Sequence, residues 1–329
     1  MIKHASAFVL VMLTLAMAGG NAVAGEALWL SEASPHAGHG GGAHAHGGPV
    51  QVRRGVYYKN LWLRHGDDPQ TAGYVQQVTS LSPLLLLDAA GQAREQPVLR
   101  DADHGLYNVE FAMPDEGFYN AYLTHQWLNA DEGLRLVHIA KAEVLKHSCR
   151  EGHDDVQPKM PPRHNPAIAL ELVRERLPKE NFHTLQSHGD TVSFRVLRHG
   201  EPLPGASVTF TTAQGWSRQA LSDSEGRVSY TLIRDYYPPW HEFEKRKAQP
   251  YLVSAVHSVA EAGELDGQAY QRTVYRSSYA GNYYPSPRDY ESYAYGISFA
   301  LFALLATGIA IYLYRRRRQR LYREVRFDE

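Results

Sequence analysis

The feature that most constrains this chain is an uncharged, apolar run near its C-terminal end, from Ala294 to Tyr314. At about 1.5 Å rise per residue, a helix over this run crosses roughly 30 Å, the thickness of the hydrocarbon core of a bilayer. Four consecutive arginines, Arg315 to Arg318, follow it directly. Because arginine-rich flanks stay in the cytoplasm, the pattern predicts one transmembrane helix (294–314), a basic cytoplasmic tail (315–329) and an ectodomain outside.

The N-terminal end agrees with an exported ectodomain. Lys3 precedes an apolar run from Ala7 to Met17, and Ala22-Val23-Ala24 is a small-x-small cleavage sequence. This layout is typical of a secretory signal peptide over residues 1–24, with cleavage before Gly25. An uncleaved anchor is the alternative. The expected location is the bacterial inner membrane, with the ectodomain in the periplasm and the C-terminus in the cytoplasm.

Charge and residue usage narrow the possible partners and ligands. The formal net charge is −1 and the basic excess lies in the tail, which argues against nucleic acid as a partner. A single cysteine, Cys149, excludes an intramolecular disulfide, so the fold must depend on apolar burial. Histidine is over-represented, with 17 residues, and imidazole is the commonest metal ligand in proteins.

The ectodomain pattern predicts an all-β fold. Short alternating segments separated by turn signals run over 49–147 and again over 167–276, which is typical of two antiparallel β-sandwich domains of the Ig-like kind. Three connecting segments complete the predicted organisation. They are a flexible His/Gly-rich segment (25–48), a His/Cys/Pro linker (148–166) and a Tyr-rich neck (277–293) suited to the headgroup interface.

Two segments carry candidate metal ligands. In the first, four imidazoles stand among glycine and alanine and could close around a soft or borderline divalent ion; they are His36, His39, His44 and His46. A solvated linker that happens to contain histidine is the alternative. The second segment, around the predicted linker, supplies His147, Cys149, His153 and Asp154. No zinc-finger spacing is matched there, so a polar linker with an unpaired thiol stays open as the alternative.

The second predicted domain carries a family resemblance. Its motifs are LELV at 170–173, HGDTVSFRVLRHGEPLPGASV at 188–208, SDSEGRVSYTL at 222–232 and YLVSAVH at 251–257. In this order, after a first β-domain and a signal peptide, they resemble an exported bacterial family of undetermined function. That family is often described as the periplasmic component of cobalt or nickel transport. The resemblance implies a transthyretin-like or carboxypeptidase-regulatory-like second domain. Family members commonly begin with a histidine near a tryptophan, whereas this chain keeps Trp29 without that histidine.

The motifs of common enzyme classes are missing from the sequence. There is no nucleophile elbow, phosphate-binding glycine loop or His-Glu-x-x-His helix, so we expect a protein that is not an enzyme. The favoured hypothesis is a membrane-anchored metal-binding accessory protein. It would capture Ni, Co, Cu or Zn and pass the ion to an inner-membrane transporter or metalloenzyme complex. The alternative is a non-catalytic interaction or assembly subunit of a larger membrane complex.

Overall fold

The computed structural model describes residues 25–35, 50–78, 81–148, 159–239, 241 and 247–318. The fold class is the predicted one, because β-strands dominate the described chain and its long helix is C-terminal. Two compact units divide the chain, Met1–Pro285 and Ser286–Glu329. The strands belong to the first unit and the helix to the second.

The strands, in chain order, are β1 (Leu28–Ser31), β2 (Val50–Arg53), β3 (Val56–His65), β4 (Gly73–Tyr74), β5 (Leu84–Leu87), β6 (Ala93–Gln96), β7 (Leu99–Arg100), β8 (Tyr107–Met113), β9 (Gly117–Asn129), β10 (Leu134–Lys146), β11 (Glu171–Arg174), β12 (Thr191–Arg198), β13 (Glu201–Pro202), β14 (Ser207–Thr212), β15 (Ser217–Leu221), β16 (Arg227–Thr231), β17 (Gln249–Val259), β18 (Gly263–Leu265), β19 (Gln268–Tyr270) and β20 (Arg272–Tyr283).

An eight-stranded sheet forms the middle layer of the first unit, in the order β15-β14-β17-β20-β10-β9-β5-β6. A six-stranded sheet of β1–β4, β7 and β8 packs on one face of it, and a four-stranded sheet of β11, β12, β13 and β16 packs on the other. A small hairpin joins β18 to β19. The two predicted sandwiches are therefore present, and they share their central sheet.

Strand β10 shows why one sheet can serve both sandwiches. Side chains alternate across a strand, so successive residues face opposite layers. Val137 and Ile139 join the core under the four-stranded sheet, whereas Ala140 and Ala142 join the core under the six-stranded sheet. With apolar residues on both faces, β10 must be covered on both sides.

The two sandwiches meet at a pairing between β10 and β20. Leu134 to Lys141 lie parallel to Arg272 to Tyr279, in contrast to the antiparallel pairs elsewhere in the central sheet. Each strand would otherwise leave an edge of unpaired peptide groups, which pairing removes. Hydrogen bonding thus continues across the eight strands.

The C-terminal part of the second sandwich differs from expectation. Tyr279 and Tyr283, predicted to lie in a neck at the headgroup interface, lie in β20 with their side chains buried in the core. Alternation of apolar and small residues carries the strand seven residues past the predicted domain end at residue 276. Tyr279 and Tyr283 both pack into the core beneath the four-stranded sheet, which a high tyrosine content alone does not reveal.

The described part of the second unit contains one helix, α1 (Asp289–Arg318). Ser286 and Asp289 bond reciprocally at its start: the Ser286 N–H donates to Asp289 Oδ2 at 2.8 Å, and the Asp289 N–H donates to the Ser286 carbonyl at 3.0 Å. Residues Tyr293–Arg318 have a mean hydropathy of 2.1 in their most apolar window and are long enough to cross a membrane. The prediction of one C-terminal membrane-spanning helix agrees with this finding.

Candidate metal-binding site

Of the eight predicted ligands, the described part of the chain contains only His147. The others lie outside the described residues; they are His36, His39, His44, His46, Cys149, His153 and Asp154. The structure therefore places one predicted ligand.

His147 directly follows Lys146, the last residue of strand β10. The Lys146 ammonium donates to the Pro114 carbonyl at 2.5 Å, and the Ser148 N–H donates to Glu116 Oε1 at 2.7 Å. These bonds fix the backbone on both sides of the histidine. Its side chain is 8% exposed.

His183 lies in a tight turn between Asn181 and Thr184. The Asn181 side-chain carbonyl accepts from the His183 N–H at 2.9 Å, and the Thr184 hydroxyl accepts from the Asn181 N–H at 2.9 Å. Asn181 is thereby an Asx-turn residue, a role in which asparagine is common. The turn holds the His183 backbone in place while its side chain remains exposed.

The imidazole rings of His147 and His183 approach each other through their Nε2 atoms. The Nε2 atoms of His147 and His183 are 3.2 Å apart, and the rings are nearly perpendicular, at 82°. This is a hydrogen-bond distance, at which either Nε2 can be the donor. Two nitrogens each about 2.0–2.1 Å from a tetrahedral ion are separated by about 3.3 Å, so the observed spacing suits a shared ion.

Carboxylate and aromatic neighbours surround the pair. Glu116 Oε1 lies 3.4 Å from His147 Nδ1, on the side of the ring opposite His183. Phe182 packs on His147 at a ring-centroid distance of 5.2 Å, and Phe118 meets Phe182 edge-on at 5.8 Å. The site is therefore walled by apolar rings on one side and open to solvent at His183.

A buried ion network anchors the segment that carries His183. Arg174 donates to both carboxylate oxygens of Glu180 at 3.0 and 2.7 Å, and Glu180 Oε2 accepts from the Leu177 N–H at 2.6 Å. Arg176 donates to Glu143 of β10 at 2.6 and 3.0 Å. Burial alone would raise the pKa of Glu143, but the charges of Arg176 and Arg174 outweigh it and hold that pKa at about 2.

Among the described residues, no group of three or more His, Cys, Asp or Glu side chains is arranged to hold a metal ion. The His147–His183 pair supplies two nitrogen ligands. Two other described histidines contact carboxylates elsewhere: His65 lies 3.2 Å from Glu26, and His104 lies 3.1 Å from Asp101. His183 was not predicted from the sequence. The local sequence Asn181-Phe-His-Thr184 indicates a turn, and nothing in it indicates that His183 contacts His147.

Comparisons with known proteins leave the family open. No protein-family model and no curated protein matches the sequence. Among solved structures, the chain is similar to a 1.5-MDa bacterial ice-binding adhesin at 10% identity and a TM-score of 0.23, over 70% of this chain and 58% of that one. It is also similar to the D0-D1 domain of intimin at 11% identity and a TM-score of 0.20, over 69% and 89%. A third, at 14% identity and a TM-score of 0.19, is trypsin-activated alpha-2-macroglobulin from Escherichia coli, over 79% and 16%.

Proposed function

We propose that this protein is a membrane-anchored metal-binding accessory protein of the periplasm. It captures a transition-metal ion outside the inner membrane and passes it to a membrane transporter or metalloenzyme complex. The observation that carries the proposal is the His147–His183 pair, whose Nε2 atoms are 3.2 Å apart. Imidazole nitrogens suit Zn, Cu and Ni and are poor ligands for Mg or Ca.

The site is suited to transfer because it is incomplete. Two imidazoles leave coordination positions for further donors, and exposed His183 lies on the solvent side. Cys149, His153 and Asp154 follow His147 closely in the sequence and are the proposed additional ligands. The proposal assigns first capture to His36, His39, His44 and His46, and it is consistent with the resemblance to components of cobalt or nickel transport.

Calorimetric titration of the detergent-solubilised full chain with Ni, Co, Cu and Zn tests the proposal. We expect His183→Ala to remove one bound ion while leaving ions at the N-terminal cluster unchanged. Deleting residues 36–46 should do the reverse. His104→Ala is the matched control, because His104 is half-exposed and lies in a turn with Asp101 as its partner.

Flat titrations with all four ions would reject metal capture. The protein would then be better described as a non-catalytic assembly subunit, and detergent extraction with its membrane partners would become the informative experiment. Unchanged stoichiometry in His183→Ala, with binding elsewhere retained, would reject this site while leaving the N-terminal cluster standing.

A further inference from the structure

Glu116 lies where it can control which nitrogen of His147 faces the ion. It belongs to the turn between β8 and β9, whose conformation is fixed by the Tyr119 hydroxyl: that hydroxyl donates to the Asp115 carbonyl at 2.9 Å and accepts from the Asp115 N–H at 3.0 Å. The Glu116 side chain is 12% exposed, so little water competes for its carboxylate.

The chemistry of the contact selects a tautomer. Glu116 Oε1 lies 3.4 Å from His147 Nδ1, an ion-pair contact without hydrogen-bond geometry. Because an ionised carboxylate can only accept a hydrogen bond, its position favours a hydrogen on His147 Nδ1. A neutral imidazole with its hydrogen on Nδ1 has a free lone pair on Nε2. That lone pair can accept a hydrogen bond from an Nε2–H of His183, because the two Nε2 atoms are 3.2 Å apart.

We propose that Glu116 is a positioning residue for the metal site, holding His147 in the Nδ1–H tautomer so that Nε2 is the ligand atom. This inference rests on the proposed function. Metal ligation polarises the distal N–H of an imidazole, so we expect the 3.4 Å contact between His147 Nδ1 and Glu116 Oε1 to shorten into a hydrogen bond when an ion binds. His183 binds the same ion after its hydrogen moves from Nε2 to Nδ1 through solvent, with no net loss of a proton.

Backbone contacts make Glu116 well suited to this role. Its Oε1 already accepts the Ser148 N–H at 2.7 Å, so the carboxylate is oriented before an ion arrives. The same bond ties the chain that follows His147 to the β8–β9 turn. Orientation by an outer carboxylate is worth about 10- to 100-fold in metal affinity.

Titration of the full chain with Co²⁺ and Cu²⁺, followed by the Co²⁺ visible spectrum and the Cu²⁺ EPR spectrum, tests the inference. We expect Glu116→Ala to weaken binding at this site by about 10- to 100-fold and to change both spectra. Glu116→Gln keeps an accepting oxygen but loses the charge, so its affinity should fall between those of Glu116→Ala and the unmodified chain. Asp115→Asn is the matched control, since it removes the same charge from the adjacent, exposed residue.

The outcomes separate the two proposals. If His183→Ala loses the ion while Glu116→Ala binds it with unchanged affinity and spectra, the positioning role is wrong and the metal site stands. If Asp115→Asn weakens binding as much as Glu116→Gln, the effect is general electrostatics and the positioning role is again wrong. Should Glu116→Ala fail to fold by circular dichroism, Glu116→Gln decides, and unaltered affinity in that variant overturns the inference.

Discussion

Glu143 is held between two arginines in the interior, and its charge matters for stability. Its side chain is 5% exposed and receives hydrogen bonds from Arg176 at 2.6 and 3.0 Å. Arg174 adds a further contact at 3.3 Å. Protonating this carboxylate would leave buried guanidinium charge uncompensated, which is among the costly changes a core can undergo.

The first prediction concerns acid. The pKa of Glu143 is about 2 in the folded protein against an ordinary 4.5, so its contribution to stability is complete above about pH 4.5 and is lost as the pH falls towards 2. The shift corresponds to about 3 kcal/mol. Urea unfolding between pH 6 and pH 2.5, compared with Glu143→Gln, checks this. In the variant, we expect lower stability at pH 6 and a weaker dependence on pH over this range; parallel curves would contradict the assignment.

A second buried ion pair joins β10 to β11. Lys141 donates to Glu171 Oε1 at 2.6 Å, and both side chains are 1% exposed. We predict that Lys141→Met destabilises the protein by about 3–5 kcal/mol, because it leaves the Glu171 carboxylate buried without its cation. Denaturant unfolding measures the loss. The double variant Lys141→Met/Glu171→Gln should recover part of it, and a double variant as unstable as the sum of both single variants would contradict the pairing.

At the scale of elements, strand β1 lies at the edge of its sheet, yet its side chains are buried in the core. It pairs only with β3 within the described sheet, yet all four of its residues are buried. The Ser278 hydroxyl of β20 donates to the Leu28 carbonyl at 2.6 Å, and the Trp29 indole N–H donates to the Gly66 carbonyl at 3.1 Å. Strand β1, which lies in the segment predicted to be flexible (25–48), thus links the six-stranded sheet to the central sheet.

The third prediction concerns Trp29, which is 1% exposed and lies under the Arg64 guanidinium at 4.6 Å. Trp29→Ala should lower stability by about 3–5 kcal/mol, since it opens a cavity and removes the cation–π contact. Trp29→Phe should cost less, because an aromatic ring stays in place. Thermal unfolding of both variants checks the order, and equal losses would show that ring packing is not the main contribution.

At the scale of the whole molecule, the shared sheet couples the two sandwiches. Eight strands form one continuous hydrogen-bonded layer, and unfolding either end exposes β10 or β20 as an unpaired edge. We therefore expect the first unit to unfold as one cooperative body.

The fourth prediction tests that coupling with a substitution in each sandwich. Leu84→Ala, under the six-stranded sheet, and Phe194→Ala, in the four-stranded sheet, should each lower the melting temperature of a single calorimetric transition. Two separate transitions, with each variant moving only one, would show that the sandwiches unfold independently.

The fifth prediction concerns the anchor. Because the compact first unit ends at Pro285, a chain truncated there should fold and remain soluble after lysis, whereas the full chain should float with lipid vesicles. Sedimentation in a density gradient measures both. A truncated chain that still floats would mean that membrane association depends on the first unit as well.

The amino-acid sequence by itself determined the elements that depend on local pattern. Uninterrupted apolarity from Ala294 to Tyr314 predicts the helix, and period-two alternation predicts most strands, because neighbouring side chains suffice to set these structures. The turn at Gly226 is a further example: its φ is +72°, a conformation for which glycine is favoured.

Only the tertiary structure decided the contacts between distant residues. The parallel pairing of β10 with β20 joins residues more than a hundred positions apart, and no local pattern encodes that register. His183 comes to His147 for the same reason, carried there by the Asn181 turn and the Arg174–Glu180 pair. Local periodicity reports which face of a strand is buried, whereas the choice of partner follows from how all the faces pack at once.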